Sequence, residues 1–127
     1  MTLYVHAGVQ AAGSGAPVHF HCDAWNALAH GRKRWFLYPP AVALYSKQPI
    51  AKWLAEQANR TSSSPSSSLG DGGSFSVESA APEGAITCTQ RAGDVLYVPC
   101  DWGHGVLNLR HSVGVAVEFS WGHGQRG

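Results

Sequence analysis

The chain has 127 residues, of which 44% are hydrophobic and 13% charged, with a net charge of +1. This length and composition are typical of one globular domain with an apolar core, and we expect residues 1–127 to form a single domain. The near-neutral charge argues against a nucleic-acid-binding surface, and no apolar run is long enough for a membrane-spanning helix.

The first third of the chain is dominated by short β-type runs. Apolar and β-branched residues alternate there with turn residues, and Gly31, Pro39 and Pro40 interrupt the pattern. A glycine-rich turn over Gly8–Gly15 follows the first run. The four predicted strands are Leu3–Val5, Val18–His21, Trp25–His30 and Lys33–Tyr38.

One helix is predicted over Pro49–Asn59. Ile50, Trp53 and Leu54 share a face at the i, i+3, i+4 spacing, and proline suits the first helical position. Thr61–Ser76 then contains eight serines and three glycines, too little apolar surface to bury. We expect residues 61–76 to form a flexible low-complexity loop.

Strands resume after this loop. The last one shows the cleanest alternation, with Val113, Val115 and Val117 on one face. Eight strands and one inserted helix favour an all-β barrel or sandwich, with a plain immunoglobulin-like sandwich as the competing fold. The four later predicted strands are Ala85–Gln90, Asp94–Val98, Gly105–Leu109 and Ser112–Phe119.

Two histidines and an aspartate alternate in the second predicted strand and just beyond it. Successive side chains of a strand point to opposite faces, so His19, His21 and Asp23 share a face if the chain stays extended. His104 follows a turn-like segment after Pro99, at the entry to the seventh strand. Two or three histidines plus a carboxylate, with open positions, are typical of non-haem Fe(II). The alternative is that these histidines are hydrogen-bonded locally.

Lys33 shares one face of the fourth predicted strand with Trp35 and Leu37. A cation on an apolar face is costly unless it is paired or reaches water, and no acidic residue lies nearby in the sequence. A ligand carboxylate would satisfy it, and Asn26 could add a hydrogen bond to the same ligand. The alternative is a lysine at a strand edge that extends into solvent.

The other histidines and the cysteines are not assigned to this site. His6, His111 and His123 are interpreted as solvated residues, and His30 as a weaker pocket candidate. The three cysteines have neither metal-finger spacing nor the even number of a disulfide framework. They are Cys22, Cys88 and Cys100.

Three motifs make the chain similar to a known family. They are HFH at His19–His21, WNALAHGRKRWFLYPP at Trp25–Pro40 and RAGDVLYVPCDWGHGVLNL at Arg91–Leu109. In this order and spacing they resemble the jumonji-C domain, a branch of the cupin-like Fe(II)- and 2-oxoglutarate-dependent oxygenases. Within that family the chain resembles small proteins of the lysyl-hydroxylase type and a lumenal type that carries His-x-His. The resemblance implies a double-stranded β-helix, also called a jelly roll.

The resemblance also assigns roles to residues. It implies that His19 is the first metal ligand and His104 the last, that Lys33 pairs with the distal carboxylate of 2-oxoglutarate, and that Asn26 supports this contact. The family's active members carry His-x-Asp or His-x-Glu, whereas here the middle position is His21. The expected ligand set is therefore the three histidines, with Asp23 as an alternative carboxylate ligand.

The implied function is an Fe(II)- and 2-oxoglutarate-dependent dioxygenase that hydroxylates a protein side chain. His21 and Glu118 favour an alternative, a catalytically impaired protein that acts as a metal-binding or protein-interaction module. An ionised Glu118 would repel a dianion from the co-substrate pocket or pair with Lys33. A cupin with different metal chemistry and no 2-oxoglutarate is the third hypothesis.

The family analogy names a protein or peptide as the partner, and the sequence does not specify an oligomeric state. The start, MTLYVHAG, lacks the basic and apolar regions of a signal peptide. The endoplasmic reticulum lumen and the cytoplasm or nucleus stay open as compartments. Compared with the family, we expect the supporting elements that precede the core to be missing.

Overall fold

The computed structural model describes residues 1–42, 44–62 and 82–120. These ranges contain all eight predicted strands and the predicted helix. A 3-10 turn spans Pro40–Val42, and the helix α1 spans Ile50–Ser62. The strands are β1 (Thr2–Gln10), β2 (Gly15–His19), β3 (Ala24–His30), β4 (Arg32–Tyr38), β5 (Ile86–Arg91), β6 (Val95–Val98), β7 (Gly103–Asn108) and β8 (Ser112–Ser120).

The strands form two four-stranded antiparallel sheets. One has the order β1-β8-β3-β6 and the other the order β2-β7-β4-β5. Except for β4 and β5, which pair with each other, consecutive strands therefore lie in opposite sheets, as in a jelly roll rather than an immunoglobulin-like sandwich. The expected double-stranded β-helix is confirmed.

Successive side chains of β4 point to opposite faces of the sheet and pack in two different apolar clusters. Trp35 points between the sheets, where it packs in a small cluster with Val98 and Val106. The next residue, Phe36, is fully buried on the opposite face, under α1. The cluster beneath the helix consists of Val18, Phe36, Tyr38, Ile50, Trp53, Leu54 and Leu107.

Helix α1 covers the outer face of the sheet that contains β4. Its buried stripe is Ile50, Trp53 and Leu54, as the i, i+3, i+4 spacing predicts. The chain packs tightly there: a Cβ added at Gly105 would lie 2.9 Å from Ile50 Cδ1 and 3.0 Å from Val18 Cγ2. The inner face of the same sheet is left free to line a cavity.

Two strands differ from their predicted bounds in ways that affect the cavity. β1 continues to Gln10, into the predicted glycine-rich turn, because it pairs with β8 along its whole length, from Thr2 opposite Ser120 to Gln10 opposite Ser112. β2 ends at His19 rather than His21, so residues 20–23 leave the strand before β3 begins. Because β2 ends early, His21 lies outside the strand, and its direction does not follow from strand alternation.

Two further predictions concern the loop that follows α1 and the absence of a membrane-spanning helix. Residues 61 and 62 close α1, and residues 63–76 of the predicted loop lie outside the described residues. In the described part of the chain, no helix is long and apolar enough to cross a membrane.

Candidate metal centre

His19 and His104 are brought together by strand pairing. The pairing of β2 with β7 shifts by one residue between Ala16 and His19, and this irregularity sets His19 directly opposite His104. Such a bulge re-aims side chains relative to a regular ladder. The two imidazole rings consequently lie with their centroids 4.3 Å apart.

His21 reaches the same place by a different route. It lies two residues beyond the end of β2, so the predicted shared face of an extended strand is not what positions it. The amide of Asp101 donates to the carbonyl oxygen of His21 at 3.0 Å and anchors this segment to the approach to β7. His21 Nε2 is 3.1 Å from His104 Nε2.

The three histidines form one group. One ring nitrogen from each of them lies within 4.8 Å of the others. His104 is buried, whereas His19 and His21 are half-buried, so the group opens towards solvent on one side. An ion held there would keep positions free for other ligands.

Backbone carbonyls determine which nitrogen of each of the three rings carries the proton. Each Nδ1 lies against a carbonyl oxygen, which can only accept a hydrogen bond, so each neutral ring carries its proton on Nδ1 and a bare lone pair on Nε2. Partners of this kind orient metal-bound histidines. The contacts are His19 with Pro17 at 2.6 Å, His21 with Cys22 at 2.6 Å and His104 with Trp102 at 3.0 Å.

This arrangement makes the three histidines a suitable group for holding a cation. Nε2 of His21 and Nε2 of His104 are both acceptors, and two lone pairs 3.1 Å apart repel unless a proton or a metal ion lies between them. Burial lowers the pKa of His104 to about 4, a shift that the hydrogen bond to the Trp102 carbonyl opposes and that nearby His19 and His21 reinforce. Near neutral pH, His104 therefore presents a lone pair.

Asp23 is directed away from the three histidines. Its Oδ1 accepts hydrogen bonds from the Tyr97 hydroxyl at 2.5 Å and from the Cys100 amide at 3.0 Å. The bond from the phenol raises the pKa of Tyr97. Asp23 thus ties the segment after β2 to the end of β6 and is not part of the histidine group.

A cavity of about 320 Å³ extends from the histidines between the two sheets. Lys33 lines it although the residue is only 2% exposed. Its Nζ donates to Gln10 Oε1 at 2.5 Å, and removal from water lowers the pKa of Lys33. The strand-edge alternative is wrong, because β4 lies between β7 and β5.

Asn26 lines the same cavity from the opposite sheet. It is buried, and its Oδ1 has no hydrogen-bond partner among the described residues. A buried polar atom without a partner is costly, and a water molecule or a polar ligand in the cavity would satisfy it. Rotation of the amide would turn Nδ2 to the same point.

Glu118 borders the cavity at the histidine end. Its Oε1 lies 3.6 Å from His21 Nε2 and 3.9 Å from His6 Nε2. The expectation that it pairs with Lys33 is not met, since the two form no ion pair in the described structure. Its carboxylate lies instead beside His21 and His6, at the histidine end of the cavity.

Sequence reasoning missed two residues of this cavity. Gln10 lies in β1 rather than in the predicted turn, and it lines the cavity. His6 is exposed, as predicted, but it also lines the cavity. Their position depends on the pairing of β1 with β8, which no local motif signals. His30 and His111 are exposed and His123 lies outside the described residues.

Comparison with known proteins adds family relationships to this geometry. A family model described as a cupin-like domain matches residues 13–126. The mouse JmjC domain-containing protein 8 is 38% identical over 112 residues, which are 87% of this chain and 35% of that protein. The Caenorhabditis elegans bifunctional arginine demethylase and lysyl-hydroxylase psr-1 is 28% identical over 120 residues, covering 84% of this chain and 27% of its own length.

The fold has solved counterparts. The Escherichia coli ribosomal oxygenase YcfD superimposes with a TM-score of 0.56 and 16% identity over 94% of this chain and 23% of that one, a likeness in fold. The chain spans 35% of the length of the mouse relative and 27% of the length of psr-1.

Proposed function

The chain belongs to the cupin-like family of jumonji-C domains, and from this membership we propose that it is an oxygenase that uses Fe(II) and 2-oxoglutarate to hydroxylate a protein side chain. One observation carries the proposal. Three histidines with bare Nε2 atoms converge at one end of a cavity whose lining also includes a buried lysine and an unsatisfied asparagine. A metal ion would satisfy the three histidines and a dicarboxylate the lysine, and Asn26 would donate to the same dicarboxylate from Nδ2 after rotation of its amide.

In this proposal His19, His21 and His104 hold the iron. Imidazole nitrogens suit Fe(II), and a three-histidine set leaves open positions for other ligands. When bound, Fe(II) and 2-oxoglutarate supply the oxidising chemistry: O2 and 2-oxoglutarate are converted to succinate and CO2, and one oxygen atom enters the substrate. The backbone carbonyls at each Nδ1 keep the three rings in their metal-binding orientation.

Lys33 would bind the distal carboxylate of 2-oxoglutarate. Its present partner, Gln10, is neutral, so no anion among the described residues competes for the ammonium group. An ammonium–carboxylate contact in this water-poor position is stronger than one at a surface. Asn26 would donate to the same carboxylate from Nδ2 after rotation of its amide, while Trp35 and Val106 supply the apolar walls.

A protein side chain is proposed as the substrate by analogy. The name of psr-1 describes a lysyl-hydroxylase and arginine demethylase, both of which act on protein side chains. The histidine group opens to the surface through the half-buried His19 and His21, which supports access by a peptide. This part of the proposal rests on relatives, because fold alone does not determine substrate.

The second candidate is a metal-binding module without turnover. The position of Glu118 favours it, because an anion 3.6 Å from His21 Nε2 opposes a second anion at the metal. Three neutral ligands would also leave the ion's charge uncancelled, so that Glu118 becomes its nearest counter-charge. In this case metal binds but 2-oxoglutarate is not consumed.

Succinate formation separates the two candidates. The purified protein is supplied with Fe(II), 2-oxoglutarate and O2, and succinate is quantified by mass spectrometry beside His104→Ala and the exposed-histidine control His30→Ala. We expect succinate from the wild type and from His30→Ala but not from His104→Ala. Metal binding without succinate above the His104→Ala background would support the module instead.

A further inference from the structure

Cys22 and Cys100 lie opposite each other on the two segments that carry His21 and His104. β3 and β6 pair with Ala24 opposite Val98. Two residues further in the same antiparallel register, Cys22 comes opposite Cys100.

A hydrogen bond also joins the two segments beyond the strand ends. The amide of Asp101 donates to the carbonyl of His21 at 3.0 Å, a pair that keeps the register of Ala24 with Val98. The amide of Cys100 donates to the Asp23 carboxylate, also at 3.0 Å. Cys22 is therefore bracketed by two contacts that hold the chain around it against residues 100 and 101.

The two thiols also influence each other. Cys22 and Cys100 are both free and half-buried, and interaction with the Cys22 thiol raises the pKa of Cys100 to about 11. Residues directly opposite in antiparallel strands have Cα atoms about 4.5–5.5 Å apart, within the range of about 4.4–6.8 Å that a disulfide requires. Cys88 lies in the other sheet, opposite Trp35 of β4.

We propose that Cys22 and Cys100 form a disulfide when the protein meets a low-molecular-weight disulfide such as oxidised glutathione. One thiol attacks the reagent and releases one reagent thiol, and the second thiol resolves the mixed disulfide and releases the other. The two cysteines together lose two electrons and two protons, and the reagent gains them as two thiols. The product is one intramolecular S–S bond.

This bond would act on the metal centre of the proposed function. His21 is adjacent to Cys22, and Cys100 begins the turn that leads to His104, with Asp101 at a positive φ of 65°. A covalent link between the two segments fixes the backbones of two of the three proposed ligands. Pre-fixed ligands lose less conformational freedom on binding, so the oxidised protein should hold metal more tightly.

Peptide mapping tests the disulfide without any metal. The folded full chain is incubated with excess oxidised glutathione, its free thiols are blocked, and it is digested without reduction. We expect a cross-linked Cys22–Cys100 peptide, two hydrogens lighter than the reduced pair. Cys88→Ser should retain it, whereas Cys22→Ser and Cys100→Ser should carry glutathione on the remaining cysteine instead.

Two outcomes would overturn the disulfide: Cys22 and Cys100 that both stay open to blocking, or pairing with Cys88 to a similar extent. The link to the metal centre is tested by Co(II) titration of the oxidised and reduced Cys88→Ser protein. We expect several-fold tighter binding after oxidation, and equal affinities would contradict the link. If neither form binds Co(II), the proposed function fails while the peptide map still decides the disulfide.

Discussion

The Nε2 atoms of His21 and His104 face each other at 3.1 Å, and both are lone-pair acceptors because each ring donates its Nδ1 proton to a backbone carbonyl. Such a contact is repulsive until a cation joins it. The fold thus holds two acceptors together, which is what the proposed metal site requires. The backbone supports this closeness through the bond from Asp101 to His21 and through the pairing of His19 with His104.

Replacing His21 and Asp23 in parallel tests which of them is a ligand. We expect His21→Ala to weaken Co(II) binding by at least about tenfold, since even changes to groups that only orient a ligand cost this much. The isosteric Asp23→Asn should leave the affinity near wild type, because Asp23 binds Tyr97 and Cys100 instead. Calorimetric titration gives both values, and the reverse order would identify Asp23 as the ligand.

Lys33→Met should remove the anchor for 2-oxoglutarate without removing the metal. A hydrogen bond to a charged group contributes about 1.5–3 kcal/mol, so we expect 2-oxoglutarate to bind about 10- to 100-fold more weakly. The exposed Lys52→Met serves as the control. Equilibrium binding to the Mn(II)-loaded protein measures the change, and equal affinities in all three proteins would place the co-substrate elsewhere.

Glu118→Gln should strengthen 2-oxoglutarate binding. The variant removes a negative charge that lies 3.6 Å from His21 Nε2 while keeping the size of the side chain. Two like charges about 4 Å apart repel by about 1 kcal/mol in water, so removing the charge corresponds to about a fivefold gain in affinity for the anion. The same Mn(II) assay applies, with the exposed Glu83→Gln as control. A weaker affinity would show that Glu118 supports the ligand rather than repelling it.

The metal-free protein should lose stability in acid because of His104. Its folded pKa of about 4 lies below the ordinary 6.5, so the unfolded chain binds the proton first as pH falls. The contribution of His104 is complete above pH 6.5 and is lost progressively between pH 6.5 and 4. At pH 5 we expect a loss of about 2 kcal/mol.

Urea unfolding in EDTA at pH 7.5 and pH 5 measures this loss. His104→Gln should remove most of the difference between the two pH values, because glutamine does not titrate. His30→Gln, at an exposed site, should retain it. An equal pH dependence in wild type and His104→Gln would show that another group is responsible.

Local patterns predicted the strands better than they predicted the site. Period-two alternation and turn residues placed all eight strands, and the helix face of Ile50, Trp53 and Leu54 followed from spacing alone. His21 joined the histidine group as expected, but from a loop beyond β2, because the register shift between Ala16 and His19 ends the strand early. No local rule encodes such a shift.

Long-range pairing accounts for the remaining errors. Gln10 contacts Lys33, and His6 approaches Glu118, only because β1 forms an edge of the sheet along β8. More than a hundred residues separate β1 from β8 in the sequence, so neither contact has a sequence signature. The placement of Cys22 opposite Cys100 also depends on a long-range register, that of β3 with β6.

Anaerobic absorption spectroscopy tests the central claim most directly. The protein is given Fe(II) and then 2-oxoglutarate in the absence of O2, beside His104→Ala, Lys33→Ala and the control Lys52→Ala. We predict a visible metal-to-ligand charge-transfer band in the wild type and in Lys52→Ala, and its loss in the other two variants. Iron binding by a folded wild type without this band would contradict a site that chelates 2-oxoglutarate, and no iron binding would contradict the metal centre itself.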